Sequence, residues 1–247
     1  ARPLSSRAGP RRGPEERFVQ NLAFAVPPRP VVPVAGASTL FPVHRIYCVG
    51  KNYAAHAREM GTDPTREPPF FFSKPADALV GDGARVAYPS RTANFHHEIE
   101  LVVAIGGEGR EVTREAALGL VYGYAVGNDF TRRDLQARAK DKGQPWDVAK
   151  GFDESAAISA IRSVSEVGHP QRGRIWLAVN GTVRQDADIS ELTWSVPEII
   201  AELSTLFTLR PGDLIYTGTP AGVGALHRGD RIEGGVEGVG SLSNEIA

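Results

Sequence analysis

The ten residues HHEIELVVAI, at positions 96–105, predict a buried strand that carries acidic side chains inward. The apolar run over 101–105 is typical of a strand in a protein core. Because side chains alternate along a strand, His96, Glu98 and Glu100 point to the same face. Two adjacent buried carboxylates repel each other unless a proton or a cation neutralises them. From this segment alone, a half-exposed strand with solvated glutamates is an equal alternative.

Asp129 adds a third carboxylate to this pair. It follows a second apolar segment, residues 122–128, which predicts a strand. Glu98, Glu100 and Asp129 then form an all-oxygen set, the kind of site that Mg²⁺, Mn²⁺ or Ca²⁺ prefers. We expect Mg²⁺ first among these ions. We expect His96 to be a hydrogen-bonding partner behind the ligands rather than a ligand.

The composition is that of an ordinary globular protein. The chain has 247 residues, a formal net charge of −1 and a single cysteine, Cys48. That charge balance does not favour a nucleic-acid partner. With one cysteine no intrachain disulfide can form, so we expect a reducing compartment and a cytoplasmic location. No apolar run approaches the roughly 18 residues of a membrane-spanning helix, so we expect no membrane partner.

The chain divides by composition into three parts. Residues 1–20 are rich in arginine, proline and glycine and lack the apolar core of a secretory signal. We expect a disordered extension there, with an arginine-rich targeting segment as the alternative. Residues 21–43 are rich in proline and valine and predict an extended lead-in with an edge strand. Residues 44–247 contain no linker, and their short strands, glycine turns and short helices predict one α+β domain of mostly antiparallel strands.

Local patterns place the elements of that domain. A helix over 131–142 begins with a capping box formed by Thr131 and Asp134. Asn180-Gly181 predicts a hairpin turn. The other predicted elements are strands at 46–50, at the end of 67–75, and at 175–180, 213–217 and 230–233, and helices at 52–60 (closed by Gly61), 113–120 and 196–204.

Seven motifs, in order along the chain, make the sequence similar to a known family. They are IYCVGKNYAAHAREM at 46–60, FFFSKPADALV at 70–80, HHEIELVVAI at 96–105, YGYAVGNDFTRRDLQ at 122–136, PWDVAKGFDESA at 145–156, LAVNGTVRQ at 177–185 and PGDLIYTGTPAGVG at 211–224. From about residue 40 to its end, the chain resembles the fumarylacetoacetate hydrolase family. The wording around 54–61 and 66–78 is most similar to the bacterial fumarylpyruvate hydrolases within it.

The resemblance implies a fold, an assembly and a reaction. The fold is a mixed β-sandwich roll with short peripheral helices, and the expected assembly is a homodimer with one divalent cation per active site. The family hydrolyses carbon–carbon bonds in β-diketo acids, and fumarylpyruvate is the expected small-molecule substrate. By the same resemblance, residues 44–247 are the catalytic domain. The metal ligands are Glu98, Glu100 and Asp129, which would leave positions open for the substrate's 1-carboxylate and 2-oxo oxygens.

The resemblance also assigns catalytic and substrate-binding residues. His56 and Glu59 match a catalytic dyad on a lid helix, and a carboxylate beside an imidazole makes it a better base for water. Lys150 matches a lysine that would stabilise an oxyanion. The matched substrate-binding residues are Arg133, Gln136, Thr219, Lys51 and Lys74. Asn128 departs from the pattern, since relatives usually have an apolar residue before the aspartate.

Two other functions fit the same motifs less well. The fold could decarboxylate oxaloacetate or isomerise a related keto diacid, although decarboxylation needs no activated water. A non-catalytic, cation-dependent keto-acid binding protein is the third alternative, but binding alone does not require His56 and Glu59.

Overall fold

The computed structural model describes residues 23–60 and 68–247, and the predictions for residues 1–20 and for Gly61 lie outside these ranges. The described chain is dominated by β-sheet with a few short helices, so the predicted α+β class is confirmed. The predicted division into lead-in and catalytic domain stays a prediction. None of the helices in these ranges is long and apolar enough to span a membrane.

The strands are short, and most of them pair antiparallel. In chain order they are β1 Val31–Pro33, β2 Leu40–Pro42, β3 Ile46–Gly50, β4 Phe70–Lys74, β5 Leu79–Gly81, β6 Arg85–Val86, β7 Phe95–His97, β8 Ile99–Ile105 and β9 Val121–Asp129. The second half of the chain adds β10 Thr131–Arg132, β11 Ala156–Ile158, β12 Arg162–Ser163, β13 Arg174–Val179, β14 Thr182–Asp188, β15 Leu214–Tyr216, β16 Gly224–Leu226, β17 Arg231–Val236 and β18 Gly240–Ile246.

Short helices lie between the strands. They are α1 Ala54–Glu59, α2 Arg114–Ala117, α3 Arg133–Asp141, α4 Asp147–Lys150, α5 Val164–Val167 and α6 Val196–Leu206. The described residues also form three single 3-10 turns, at Ala76–Ala78, Leu118–Leu120 and Ile189–Glu191.

The described strands form two larger sheets and two small ones. The largest has the order β4-β3-β15-β8-β9-β11-β5, with β12 also paired to β9. The second has the order β14-β13-β17-β18-β6, and the small sheets are β10-β7-β16 and β1-β2. Apolar side chains from both larger sheets share one buried cluster, which includes Leu101 and Val103 of β8 with Leu177 of β13 and Ile232 of β17. Burial of this apolar surface provides most of the driving force for folding.

The strand ladder breaks at Glu98. β7 ends at His97 and belongs to a small sheet, whereas β8 begins at Ile99 and belongs to the largest sheet. All seven residues of β8 are buried. The predicted buried strand is therefore confirmed, but Glu98 lies at a junction between two sheets rather than inside one strand.

The predicted capping box of the third helix is wrong. Thr131 lies in β10, opposite His96, and its hydroxyl donates to the Asp129 carbonyl. The Asp134 carboxylate accepts from the Thr92 hydroxyl and the Ala93 N–H instead. The helix therefore begins later, at Arg133. The two side chains that the local pattern assigned to a cap form hydrogen bonds with residues outside the helix instead.

Two other local predictions hold. β13 and β14 pair across Asn180 and Gly181, whose φ angles of 51° and 77° suit the tight hairpin turn expected of this dipeptide. The last predicted helix begins after Ser195, which forms a capping box with Glu198. In the predicted lead-in, β1 forms a two-stranded hairpin with β2.

Candidate active site

Three carboxylates meet at the junction between β7, β8 and β9. Glu98 lies in the break, Glu100 on β8 and Asp129 at the end of β9. All three are buried, and each offers an oxygen within 4.8 Å of the others. The pairing of Ile99 with Asn128 brings the two acidic segments side by side. The sequence placed these three residues together correctly.

Two of the carboxylates are held by basic side chains. The Lys150 ammonium lies 2.8 Å from Glu98 Oε2 and 2.7 Å from Asp129 Oδ2. Arg133 Nη2 lies 2.5 Å from Glu98 Oε1. Burial alone would raise the pKa of Glu98, but the charges of Lys150 and Arg133 outweigh it and hold that pKa below its usual range. Burial would lower the pKa of Lys150, but Asp129 and Glu98 outweigh it and raise that pKa.

Lys74 lies behind the carboxylates rather than on a cavity wall. Its fully buried ammonium is 2.8 Å from Asp129 Oδ1 and donates to the carbonyls of Phe130 and Lys150. The predicted substrate contact of Lys74 does not fit this position. Because its ammonium forms an ion pair with Asp129 and hydrogen bonds with two carbonyls, Lys74 is placed to neutralise the charge of Asp129.

Glu100 has a different environment from the other two. Among the described residues no basic side chain forms an ion pair with it, and its Oε2 accepts from the Gly218 N–H at 2.7 Å. Burial, together with the nearby charges of Asp129 and Glu98, raises the pKa of Glu100 well above its usual range. A divalent cation among these oxygens would remove that penalty, so the residues present fit such an ion in charge and in donor type.

A cavity of about 260 Å³ opens onto the cluster. Its walls combine charged groups near the carboxylates with aromatic and aliphatic side chains farther out. The lining residues are Val49, Gly50, Lys51, His56, Met60, Phe72, Glu98, Glu100, Asp129, Arg133, Gln136, Ala137, Lys140, Asp141, Trp146, Lys150 and Thr219. A concave site with a few convergent polar groups is typical of small-molecule binding.

Of the predicted dyad on α1, His56 lines the same cavity and Glu59 contacts His56. His56 Nδ1 lies 3.1 Å from Glu59 Oε2, and the imidazole is buried. The Gly222 N–H donates to the Glu59 carboxylate at 3.1–3.2 Å. An ionised carboxylate can only accept a hydrogen bond, so a neutral His56 paired with it carries its proton on Nδ1 and its lone pair on Nε2. His56 can therefore accept a proton.

The other predicted substrate-binding residues lie in different parts of the cavity wall. Arg133 Nη1 donates to Gln136 Oε1 at 2.6 Å, so this pair presents one joined polar surface to the cavity. The Thr219 hydroxyl donates to the Ile99 carbonyl and accepts from Gln185, so its hydrogen is already used within the protein. Lys51 is exposed at the rim, with a φ of 60°.

His96 contacts the carboxylate cluster through Arg133. It is absent from the carboxylate cluster, and its Nδ1 lies 3.3 Å from Arg133 Nε while its Nε2 lies 2.7 Å from Asn94 Oδ1. Burial, then the charge of Arg133, lowers its pKa to about 4. A neutral His96 thus supports Arg133, which in turn contacts Glu98.

Sequence reasoning missed four groups at this site. Asn128 Oδ1 accepts from the Glu98 N–H at 2.7 Å, and the departure from an apolar residue at this position therefore has a specific partner. Gln185 reaches the back of the site from β14. Lys140 and Trp146 line the cavity beyond Gln136. The helical spacing of Gln136 and Lys140 was the one available signal, because residues four apart share a helix face.

Comparisons with known proteins agree with this geometry. Residues 45–247 match the family described as fumarylacetoacetate (FAA) hydrolase C-terminal. A fumarylpyruvate hydrolase from Ralstonia is 51% identical over 181 residues, which cover 73% of this chain and 94% of that protein. A rat mitochondrial oxaloacetate tautomerase is 44% identical over 201 residues, which cover 81% of this chain and 90% of that protein.

A solved structure resembles the whole described fold. The crystal structure of fumarylpyruvate hydrolase from Pseudomonas aeruginosa in complex with Mn²⁺ and pyruvate superposes with a TM-score of 0.91. The two sequences are 52% identical, and the match covers 92% of this chain and 99% of that one.

Proposed function

This chain belongs to the fumarylacetoacetate hydrolase family, and from that premise we propose that it is a metal-dependent hydrolase that cleaves fumarylpyruvate into fumarate and pyruvate. The observation that carries the proposal is one cavity whose walls hold both a candidate cation site and a candidate base. The carboxylates Glu98, Glu100 and Asp129 form one wall, and the base His56, which is paired with Glu59 outside the lining, forms part of another. The similarity to two fumarylpyruvate hydrolases above half identity supports this substrate.

The carboxylate cluster would hold one divalent cation. We propose Mg²⁺ as the physiological ion, with Mn²⁺ or Ca²⁺ as alternatives, because all three accept oxygen ligands. When bound, the cation would polarise the 2-oxo acid and stabilise negative charge on the pyruvate half during cleavage. Arg133 and Gln136, joined beside Glu98, would orient the substrate carboxylate by hydrogen bonds.

His56 would activate water. Its Nε2 takes a proton from water, while Glu59 keeps the imidazole oriented and stabilises its charge. The hydroxide oxygen forms a bond to C4 of the substrate, and Lys150 Nζ stabilises the negative charge on the C4 oxygen. The C3–C4 bond then breaks, its electron pair leaves with the pyruvate half, and the proton on His56 returns to C3. Fumarate and pyruvate result, with every atom of the water accounted for.

The outer part of the cavity suits a second carboxylate. Lys51 and Lys140 lie at its rim, and Lys140 forms no ion pair or hydrogen bond with another described residue. Arg133 and Lys140 are seven residues apart on α3, which corresponds to about 10 Å along the helix axis. Fumarylpyruvate has carboxylates at both ends of a chain of six carbon–carbon bonds of about 1.5 Å each. Lys140 is thus within reach of the distal carboxylate.

The setting of the reaction is also part of the proposal. We place the enzyme in the cytoplasm, as a homodimer acting in aromatic (gentisate) catabolism. The single cysteine, buried and unpaired, is consistent with a reducing compartment. The homodimer and the pathway rest on the family resemblance.

An absorbance assay tests the function. The Mg²⁺-loaded protein is incubated with fumarylpyruvate and, separately, with oxaloacetate, and pyruvate is measured in both. We expect loss of fumarylpyruvate with one fumarate and one pyruvate formed per molecule.

The same assay decides between the alternatives. The similarity to an oxaloacetate tautomerase favours a keto-diacid activity as the second candidate. Conversion of the keto and enol forms of oxaloacetate, or release of carbon dioxide from it, with fumarylpyruvate untouched, would replace our choice by that second activity. Binding of both compounds without turnover would indicate a keto-acid binding protein.

A further inference from the structure

Gln185 joins three segments directly behind the carboxylate cluster. It lies on β14, in the second sheet, and its side chain is 0% exposed. Its Oε1 accepts from the Ile99 N–H at 3.1 Å and lies 2.9 Å from His97 Nδ1. Its Nε2 donates to the Thr219 hydroxyl and to the Pro220 carbonyl, both at 2.8 Å. All four hydrogen-bonding positions of the amide are therefore occupied.

The neighbours of the amide determine which way it points. The Ile99 N–H can only donate, so it must face the amide oxygen, and the Pro220 carbonyl can only accept, so it must face the amide nitrogen. The Thr219 hydroxyl donates to the Ile99 carbonyl, which leaves it free to accept from Gln185. A side chain with only donors or only acceptors could not satisfy this set.

Gln185 binds the backbone of Ile99, the residue that separates two of the carboxylates in the sequence. Ile99 lies between Glu98 and Glu100, where the strand changes from one sheet to another. The Ile99 N–H is bound to Gln185 and the Ile99 carbonyl to Thr219, which Gln185 itself holds. Both peptide groups of this residue are thus fixed by a closed ring of hydrogen bonds, and the two glutamates are its immediate neighbours in the sequence.

The same ring of hydrogen bonds extends to the turn that contacts Glu100. Thr219 and Pro220 follow Gly218, whose N–H donates to Glu100 Oε2. Asn128 provides the matching contact on the other side, where it binds the Glu98 N–H. At a point where backbone pairing is interrupted, two side-chain amides hold the backbone that carries the carboxylates.

We propose that Gln185 is a positioning residue that fixes the relative orientation of Glu98 and Glu100 and the turn at Gly218 and Thr219 for cation binding. The inference rests on the proposed metal site. Hydrogen-bonding partners behind metal ligands typically change metal affinity by about 10- to 100-fold when they are removed. Gln185 differs from such partners because it holds the backbone between two ligands rather than the ligands themselves.

Two substitutions separate positioning from packing. Gln185→Met keeps a similar length and removes every hydrogen bond of the amide. Gln185→Glu keeps the acceptor toward Ile99 and removes the two N–H donors. Gln171, an exposed glutamine, provides the matched controls Gln171→Met and Gln171→Glu.

The experiment is a Mn²⁺ titration of each full-length protein, followed by electron paramagnetic resonance and calorimetry, with thermal unfolding measured in parallel. We expect a Kd for Mn²⁺ about tenfold higher in Gln185→Glu and up to about 100-fold higher in Gln185→Met. We expect a changed spectrum of bound Mn²⁺ in both. Hydrolysis should be partly restored by excess Mn²⁺, which a purely structural role would not produce. The Gln171 variants should match the wild type.

Each other outcome has a defined meaning. Wild-type Mn²⁺ affinity and spectrum in folded Gln185 variants would overturn the positioning role while leaving the proposed function intact. A Gln185→Glu protein that no longer folds would assign the amide to fold stability and overturn the role as well. A wild-type protein that binds no Mn²⁺ would overturn the proposed metal site itself, and the inference with it.

Discussion

The floor and the lid of the cavity are built in opposite ways. The floor comprises Glu98, Glu100 and Asp129, which lie on or beside central strands and are buried at the bottom of the cavity. The lid is α1, a helix of six residues that carries His56 and Glu59. Glu59 is anchored by the Gly222 N–H, and Tyr53, just before the helix, pairs with Leu192 in a single bridge.

This difference predicts separate roles for the two regions: cation binding for the floor and turnover for the lid. A helix of six residues is too short to be stable alone, so α1 depends on its tertiary contacts, which include these two. Regions with few buried contacts open at lower free-energy cost than core strands. In the proposed mechanism, the floor would keep the ligand geometry fixed and α1 would present His56 to the substrate. Substitutions in the floor should first affect cation binding, and those in the lid should first affect kcat.

Loss of Glu100 is expected to have the largest effect. Glu100→Ala removes the carboxylate that has the least neutralisation from the protein, so Mn²⁺ binding and hydrolysis should both fall below detection. Calorimetry and the absorbance assay measure the two. Glu108→Ala, at an exposed glutamate, is the control. Retention of wild-type Mn²⁺ affinity in Glu100→Ala would remove Glu100 from the floor.

Loss of His56 should give the second largest effect and leave cation binding unchanged. His56→Ala removes the proposed base, which should lower kcat by about 10²- to 10⁴-fold, the usual contribution of a general base. The Kd for Mn²⁺ should remain that of the wild type, because His56 is outside the carboxylate cluster. His227→Ala, whose side chain is 80% exposed, is the control. Loss of Mn²⁺ binding in His56→Ala would break the distinction between floor and lid.

The two regions also differed in how far the sequence predicted them. The alternation of side chains at 96–105 placed Glu98 and Glu100 on one face, and the strand before Asp129 brought the third carboxylate to them. These patterns are local and physical. By contrast, His56 and Glu59 on a short helix are an ordinary pattern, and only the family resemblance identified them.

The supports of the floor could not be predicted, because they depend on tertiary structure. The break in pairing at Glu98 arises where two sheets meet, so nothing in the local sequence indicates that Asn128 binds the Glu98 N–H and Gln185 the Ile99 N–H. Lys74 was placed in the cavity by its motif, but the pairing of β4 with β3 puts it behind Asp129. The capping box of α3 failed for a similar reason, since Thr131 binds the Asp129 carbonyl.

Lys150 lies against the floor, but its substitution should have the effect expected of a lid residue. Its ammonium bridges Glu98 and Asp129, and it faces the cavity. Lys150→Met removes the proposed oxyanion donor, and kcat should fall by about 10²- to 10³-fold. Mn²⁺ affinity should be equal or higher, because a positive charge beside the carboxylates is removed. A large loss of Mn²⁺ affinity with a modest change in kcat would instead make Lys150 a structural part of the floor.

Lys140 lies outside both the floor and the lid, and its substitution tests whether the rim of the cavity selects the substrate. Lys140→Met removes a charge that we place near the distal carboxylate, so KM for fumarylpyruvate should rise about tenfold. A charge-assisted hydrogen bond contributes roughly 1.5–3 kcal/mol, and an exposed rim reduces that amount. KM for an acylpyruvate that lacks the distal carboxylate should not change, nor should Mn²⁺ affinity. Lys142→Met is the matched control, because Lys142 immediately follows α3 and does not line the cavity. Equal changes in KM for both substrates would show that Lys140 does not distinguish the far end of the substrate, and the selection would then have to come from another part of the rim.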